Sequence, residues 1–195
     1  MPLSTDALNQ LFGNARTASA FLDKPIPEGL LRQVYDLAKM PPTSMNTQPT
    51  RYVFITSAAA KERLLACMNP GNVDKTRAAP ATVIVANDAQ FFEHLPTMFP
   101  NNPNAQGMFA GNAALAQVTA MRNGTLGGAY FIMAARALGL DCGPMSGFDA
   151  AKVNAEFFAD GRYQVNFIIN VGYADTPKLH PRNPRLSFEQ AVQVL

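Results

Sequence analysis

Residues 143–149 read Gly-Pro-Met-Ser-Gly-Phe-Asp. Two glycines and a proline in so short a stretch predict a loop, Gly143–Phe148, whose backbone can pass unusually close to a planar ligand. Helical patterns bound it on both sides. Upstream, apolar residues from Leu126 to Leu138 recur at helical spacing and Gly139 marks the stop. Downstream, Asp149 suits the N-cap of a helix running through Phe158, and Tyr163 to Val171 then reads as a strand. Farther out, Gln106–Arg122 is another long helical pattern, preceded from His94 to Asn104 by an irregular excursion holding three prolines and three asparagines. Arg51–Thr56 and Ala81–Ala86 are β-rich runs with a helix from about Ala58 to Met68 between them. Two helices open the chain, one behind Ser4 and one after Pro27, the second stopping at Met40 because Pro41-Pro42 cannot continue it. Pro177, Pro181 and Pro184 mark an extended C-terminal tail. This order predicts a single α+β domain over residues 1–195, with a mixed central sheet flanked by helices.

The chain has 195 residues, of which 48% are hydrophobic and only 15% charged. That length buries a substantial core, and so few charges leave apolar surface for a partner subunit, so a homodimer is expected. A net charge of +2 without any Lys/Arg run argues against nucleic acid and anionic membranes as partners. Cys67 and Cys142 stand alone, outside any CxxC or Cys/His cluster, which supports neither disulfides nor a metal site and fits a reducing cytoplasm. The most apolar stretch, Ala129–Leu140, is short and interrupted by Arg136, and no signal pattern opens the chain, so no membrane association is expected.

Four further stretches carry chemistry. Pro42-Thr43-Ser44-Met45-Asn46-Thr47-Gln48-Pro49 follows the second helix and offers hydroxyl and amide groups. Gly71-Asn72-Val73-Asp74-Lys75 through Pro80 precedes the second strand. Arg16-Thr17-Ala18-Ser19-Ala20-Phe21 lies between the first two helices, and Pro181-Arg182-Asn183-Pro184-Arg185-Leu186-Ser187-Phe188-Glu189 forms the tail. With Gly143–Phe148 these make five motifs, in an order that resembles the nitroreductase-like FMN-dependent oxidoreductases from Arg16 to Glu189. The GPMSGFD loop, the Asn/Pro-rich excursion and the NPRLSFE tail are most similar to the malonic semialdehyde reductase branch.

The resemblance implies a nitroreductase-like fold in an intertwined homodimer with FMN at the subunit interface. Pro42, Thr43, Ser44 and Asn46 would reach the flavin bound mainly by the other subunit. Asn72 and Lys75 would face its pyrimidine edge, where an ammonium stabilises the charge that develops as hydride arrives. Pro144 and Met145 would lie along the ring, with the backbone N–H groups of Ser146 and Gly147 directed at flavin N5 and O4. Arg16, Thr17 and Ser19 would hold the phosphate and ribityl chain. That motif is degraded: Ala15 and Ser19 stand where relatives carry arginines, so Arg182 and Arg185 are candidates to complete the phosphate site. Ser146 replaces a glutamate common in relatives, leaving room for a carboxylate-bearing acceptor.

The resemblance implies that no side-chain nucleophile is required, since hydride would pass through flavin N5 with Lys75 and Gly147 assisting. No GxGxxG follows a strand, which fits NADH or NADPH and the acceptor alternating in one pocket. The acceptor implied is malonic semialdehyde (3-oxopropanoate), with Arg122 a candidate for its carboxylate and Ser146 or a water for its proton. A broad nitroreductase, quinone or enal reductase and a non-catalytic flavin-binding dimer are the alternatives. A thiol enzyme using Cys142 is the weakest, because neither His94 nor His180 lies in a partner motif.

Overall fold

The computed structural model describes residues 1–195. Four strands, β1 (Thr50–Ile55), β2 (Ala81–Asp88), β3 (Asp141–Met145) and β4 (Tyr163–Gly172), form one sheet in the order β1-β2-β4-β3. Every residue of β2 is buried, as expected for a central strand covered on both faces. Alternation along the strands separates two cores. Val83, Val85, Ile169 and Val171 meet Phe131, Ala134 and Ala135 of the long helix α7 (Ala113–Ala137) and Val34 and Ala38 of α2 (Glu28–Ala38). Ile84, Ala86 and Ile168 face the other way, toward Leu64 and Leu65 of α3 (Ala58–Leu65) and Val153 of α8 (Ala150–Phe157).

The remaining helices are short: α1 (Thr5–Leu8, continued by a π-turn to Gly13), α4 (Pro70–Ala78), α5 (Leu95–Met98), α6 (Ala105–Ala110) and α9 (Phe188–Ala191). Several caps are those expected from residue type. Ser4 accepts from the Ala7 N–H at 3.2 Å, and Asp149 accepts from the Lys152 N–H at 3.0 Å. Gly139, with φ +79°, ends the turn after α7 and donates to the Arg136 carbonyl at 3.0 Å. No helix is long and apolar enough to cross a membrane.

The structure corrects four expectations. The sheet is not mixed. All strand pairs are antiparallel, and the one parallel element is an isolated bridge between Thr17 and Cys142. Gly143, Pro144 and Met145 belong to β3, not to a loop after a helix. Pro144 is tolerated there because β3 lies at the sheet edge. The helical patterns 106–122 and 126–138 divide elsewhere. The break is at Gly111-Asn112, whose Asn112 side chain caps α7 through the Leu115 N–H at 3.0 Å, and α7 runs unbroken through Asn123–Thr125. Helix α4 was not foreseen, because only Thr76 of its residues is buried and it has almost no apolar face.

The apparent gap in α7 is the face that touches the sheet. Gly124, Gly127 and Gly128 are buried, and a Cβ at Gly127 would stand 2.0 Å from Thr50 Oγ1 and 2.8 Å from Thr50 Cβ. At Gly128 it would stand 2.2 Å from Phe167 Cζ. Open space surrounds Gly107 of α6. The same substitution should therefore have opposite signs at the two places. Gly127→Ala is expected to destabilise by about 1–3 kcal/mol through overpacking. Gly107→Ala is expected to stabilise by about 0.5–1 kcal/mol through reduced backbone entropy. Urea denaturation of both variants checks this.

A cationic cleft as the candidate functional site

Segment 16–21 reaches the sheet through β3, where the Ala18 N–H donates to the Cys142 carbonyl at 2.9 Å. The approach is so close that a Cβ at Gly143 would lie 2.3 Å from the Ala18 carbonyl oxygen. Gly143 thus makes room for this segment. Beside it opens a cleft of about 630 Å³, within the roughly 300–1,000 Å³ usual for small-molecule sites. Arg16, Thr17, Ser19, Lys75, Arg182 and Arg185 all line it. Arg136, His180 and Asn183 line it too, and no carboxylate does.

None of the four arginines takes part in an ion pair. Instead Arg182 Nη2 donates to the carbonyls of Phe12, Gly13 and Ala15 at 3.1, 2.8 and 2.6 Å. Its pKa is pushed down by desolvation and then by the charges of Arg16, Arg185 and Arg136. Such a like-charge group disfavours an empty cleft and favours an anion in it.

Helix α4 connects the cleft to the Ser146-Gly147 turn. Lys75 and Asn72 lie three residues apart on one helical face. Asn72 Nδ2 donates to the Gly147 carbonyl at 2.7 Å, and the Asn69 N–H donates to the same oxygen at 3.1 Å. The backbone N–H groups of Ser146 and Gly147 have no acceptor within the chain. Gly147 itself makes room for Asn72, since a Cβ there would lie 2.2 Å from Asn72 Nδ2. Below, a buried polar chain fixes α4 to the sheet. Thr82 Oγ1 donates to Asn170 Oδ1 at 2.9 Å, Asn170 Nδ2 donates to Thr76 Oγ1 at 3.1 Å, and Thr76 reaches Met145 Sδ at 3.7 Å. Pro144 is exposed at the end of β3.

Pro42, Thr43, Ser44 and Asn46 do not line the cleft. Their loop is held against α7 and the excursion instead: Tyr130 Oη donates to the Pro42 carbonyl at 3.0 Å, the Ser44 N–H to Asn123 Oδ1 at 2.8 Å, and Asn46 Nδ2 to the Met98 carbonyl at 2.7 Å. Met45, Asn46 and Gln48 have positive φ, a strained backbone of the kind concentrated at functional sites. Arg122 is exposed on α7, outside the cleft.

The sequence model of the Nitroreductase family matches residues 14–173. The chain belongs to this family. A protein of Ralstonia nicotianae, provisionally named an NADH dehydrogenase/NAD(P)H nitroreductase, is 55% identical over 193 residues, which cover 99% of this chain and 98% of that one. A Polynucleobacter asymbioticus protein of the same provisional name is 53% identical over 193 residues, with the same coverage of 99% and 98%. Among solved structures, a protein of Exiguobacterium sibiricum, provisionally named a nitroreductase and crystallised in complex with FMN, superposes with a TM-score of 0.87. It is 19% identical and the match covers 100% of this chain and 99% of that one, a likeness of fold.

For a nitroreductase-family chain, the residues that sequence reasoning passed over are instructive. By sequence alone Arg136 is only an interruption of an apolar run, Tyr130 only a position in a helix, and Asn123 a residue of the gap between two helical patterns. A lone arginine one turn before a glycine stop was the available signal. Cys142 is buried, and desolvation pushes its thiol up to about 12. Cys67 is buried as well, and its thiol is also raised by desolvation. Neither supplies a thiolate near neutral pH. Native protein at pH 8 should leave both unreacted with a thiol reagent, and denaturation should expose them; rapid labelling of native Cys142 would revive the thiol chemistry.

Proposed function

We propose that the chain is an FMN-dependent NAD(P)H oxidoreductase of the cytoplasm, one domain over residues 1–195, working as an intertwined homodimer. The observation that carries this reading is the convergence of Arg16, Thr17, Ser19, Lys75, Arg182 and Arg185, from three separate segments, in one cleft without a carboxylate. Those donors fit a phosphate dianion and its polyol. The unpaired N–H groups of Ser146 and Gly147 fit the acceptor atoms of a flavin ring. The FMN complex of the Exiguobacterium sibiricum protein and the names of the Ralstonia and Polynucleobacter relatives support the same cofactor and reductant.

When bound, FMN supplies a reversible hydride carrier, charged by NADH or NADPH and discharged by an acceptor that takes the nucleotide's place. The protein's part is positioning and charge. Arg16, Thr17, Ser19, Arg182 and Arg185 hold the phosphate end. Pro144 and Met145 would hold the ring, and the free Ser146 and Gly147 amides would donate to its acceptor atoms. Asn72 keeps that turn in place, and Lys75 lowers the cost of negative charge on the pyrimidine side. Because Pro42, Thr43, Ser44 and Asn46 lie outside the cleft of their own chain, a second copy delivers them. Exposed apolar side chains on α7 (Leu115, Val118, Met121 and Leu126), on α2 (Leu37) and just beyond it (Met40) suit the contact between copies.

For the acceptor we propose malonic semialdehyde, reduced to 3-hydroxypropanoate. The absence of a carboxylate at position 146 favours an anionic substrate. Arg122, exposed on α7, would meet the substrate carboxylate across the dimer, and Ser146 or a water would supply the proton to its carbonyl oxygen. The relatives' names favour the broader reading, reduction of nitroaromatics.

The purified protein should be yellow, release FMN on denaturation, and run as a dimer in sedimentation; a colourless monomer that takes up no FMN would overturn the reading. NAD(P)H oxidation with malonic semialdehyde against a nitroaromatic separates the two acceptors. Lys75→Met is expected to slow flavin reduction by on the order of 100-fold while weakening FMN binding far less, because its charge matters most as the ring becomes anionic. Equal losses would assign Lys75 to binding alone.

A further inference from the structure

We propose that Arg136 is a direct ligand of the FMN phosphate, entering from the last turn of α7 to occupy the role left open at Ala15. The inference rests on the cofactor reading above and names a residue that the tail and the N-terminal segment do not contain. Arg136 lines the cleft together with Ala15, Arg16, Arg182 and Arg185. Its guanidinium is held in advance: Nη1 donates to the Leu11 carbonyl at 3.0 Å, while Nε and Nη2 have no acceptor in the chain. The backbone at this helix end is pinned as well, because Gln10 Nε2 donates to the carbonyls of Arg136 at 2.7 Å and Ala137 at 3.2 Å.

Of the other guanidiniums in the cleft, that of Arg16 bonds nothing in the chain and the two of the tail are engaged differently. Arg182 commits Nη2 to three carbonyls. Arg185 Nη1 bonds only the nearby carbonyls of Asn183 and Pro184, at 2.9 and 3.1 Å, on an exposed tail. Arg136 alone combines a place on a long helix, a fixed fork and two unused donor groups. A fork so held loses little freedom on meeting a phosphate, which suits bidentate recognition. Its charge also lacks a carboxylate partner, so an anion arriving in the cleft relieves repulsion among the four arginines.

The test compares FMN with riboflavin, which lacks the phosphate, by fluorescence titration of the flavin-free dimer. Wild-type protein should bind FMN more tightly than riboflavin. Arg136→Gln should weaken FMN by roughly 10- to 100-fold, the effect of losing one charge-assisted hydrogen bond, and leave riboflavin unchanged. Arg63→Gln, at an exposed arginine of α3 outside the cleft, should change neither. If Arg136→Gln does not fold, Arg136→Lys is read instead, with a loss for FMN of about 3- to 10-fold because the charge stays and the fork goes. Equal weakening of both flavins would make Arg136 a structural residue and overturn the proposal, as would no change in either. Wild-type protein that binds FMN and riboflavin alike would also overturn it while leaving a flavoprotein. Wild-type protein that binds neither overturns the cofactor reading itself.

Discussion

The contact on which the other parts depend is the glycine face of α7 laid directly on the sheet. With no Cβ at positions 124, 127 and 128, the helix axis approaches β1, β2 and β4 closely enough for Thr50, Asn87 and Phe167 to fill the space where side chains would be. That one approach sets the height of everything α7 carries. Asn123 and Tyr130, in the middle of the helix, hold the strained 42–48 loop. Arg136 and the Gly139 turn sit at its C-terminal end, where the chain drops into β3 and brings Cys142 alongside segment 16–21. A helix standing off by the width of a side chain would misplace both sets of groups together.

A second constraint works on the opposite face of the sheet. Thr82, Asn170 and Thr76 are wholly buried, and their hydroxyl and amide groups satisfy one another in a single line toward Met145. Buried polar groups of this kind are costly to leave unpaired, so the line tolerates one arrangement. Its effect is positional: α4, which has little apolar surface of its own, is held by chemistry more than by packing. Asn72 and Lys75 inherit their places from it.

How much of this was legible in the sequence varies with the kind of signal. The apolar runs of β2 and β4 and the capped starts of α1 and α8 were readable because burial and capping leave local marks. Helix α4 left none, since it presents one buried threonine instead of an apolar stripe. Strand β3 was hidden by its Gly-Pro pair, which ordinarily signals a loop and here sits on the edge strand that segment 16–21 touches. The split of α7 at residues 123–125 was misplaced because glycine in a helix looks like a break until the neighbouring strand is seen. Five motifs were recognisable, and six of the residues they nominated meet in the cleft. Arg136 could not be nominated that way, for its relation to Arg16 exists only once α7 is folded against the N-terminal segment.

Between residues 180 and 195, the hydrogen bonds of Arg182 are the only ones reaching the rest of the chain. The segment that completes one wall of the cleft is therefore hydrogen-bonded to the rest through a single side chain, and that side chain is repelled by its neighbours. Occupancy of the cleft and ordering of the tail must then be thermodynamically linked: whatever anion neutralises the arginines also favours the docked tail, and whatever holds the tail raises affinity for the anion. A second subunit gripping the exposed Phe188, Val192 and Val194 would enter the same linkage, so assembly and ligand affinity would rise and fall as one quantity.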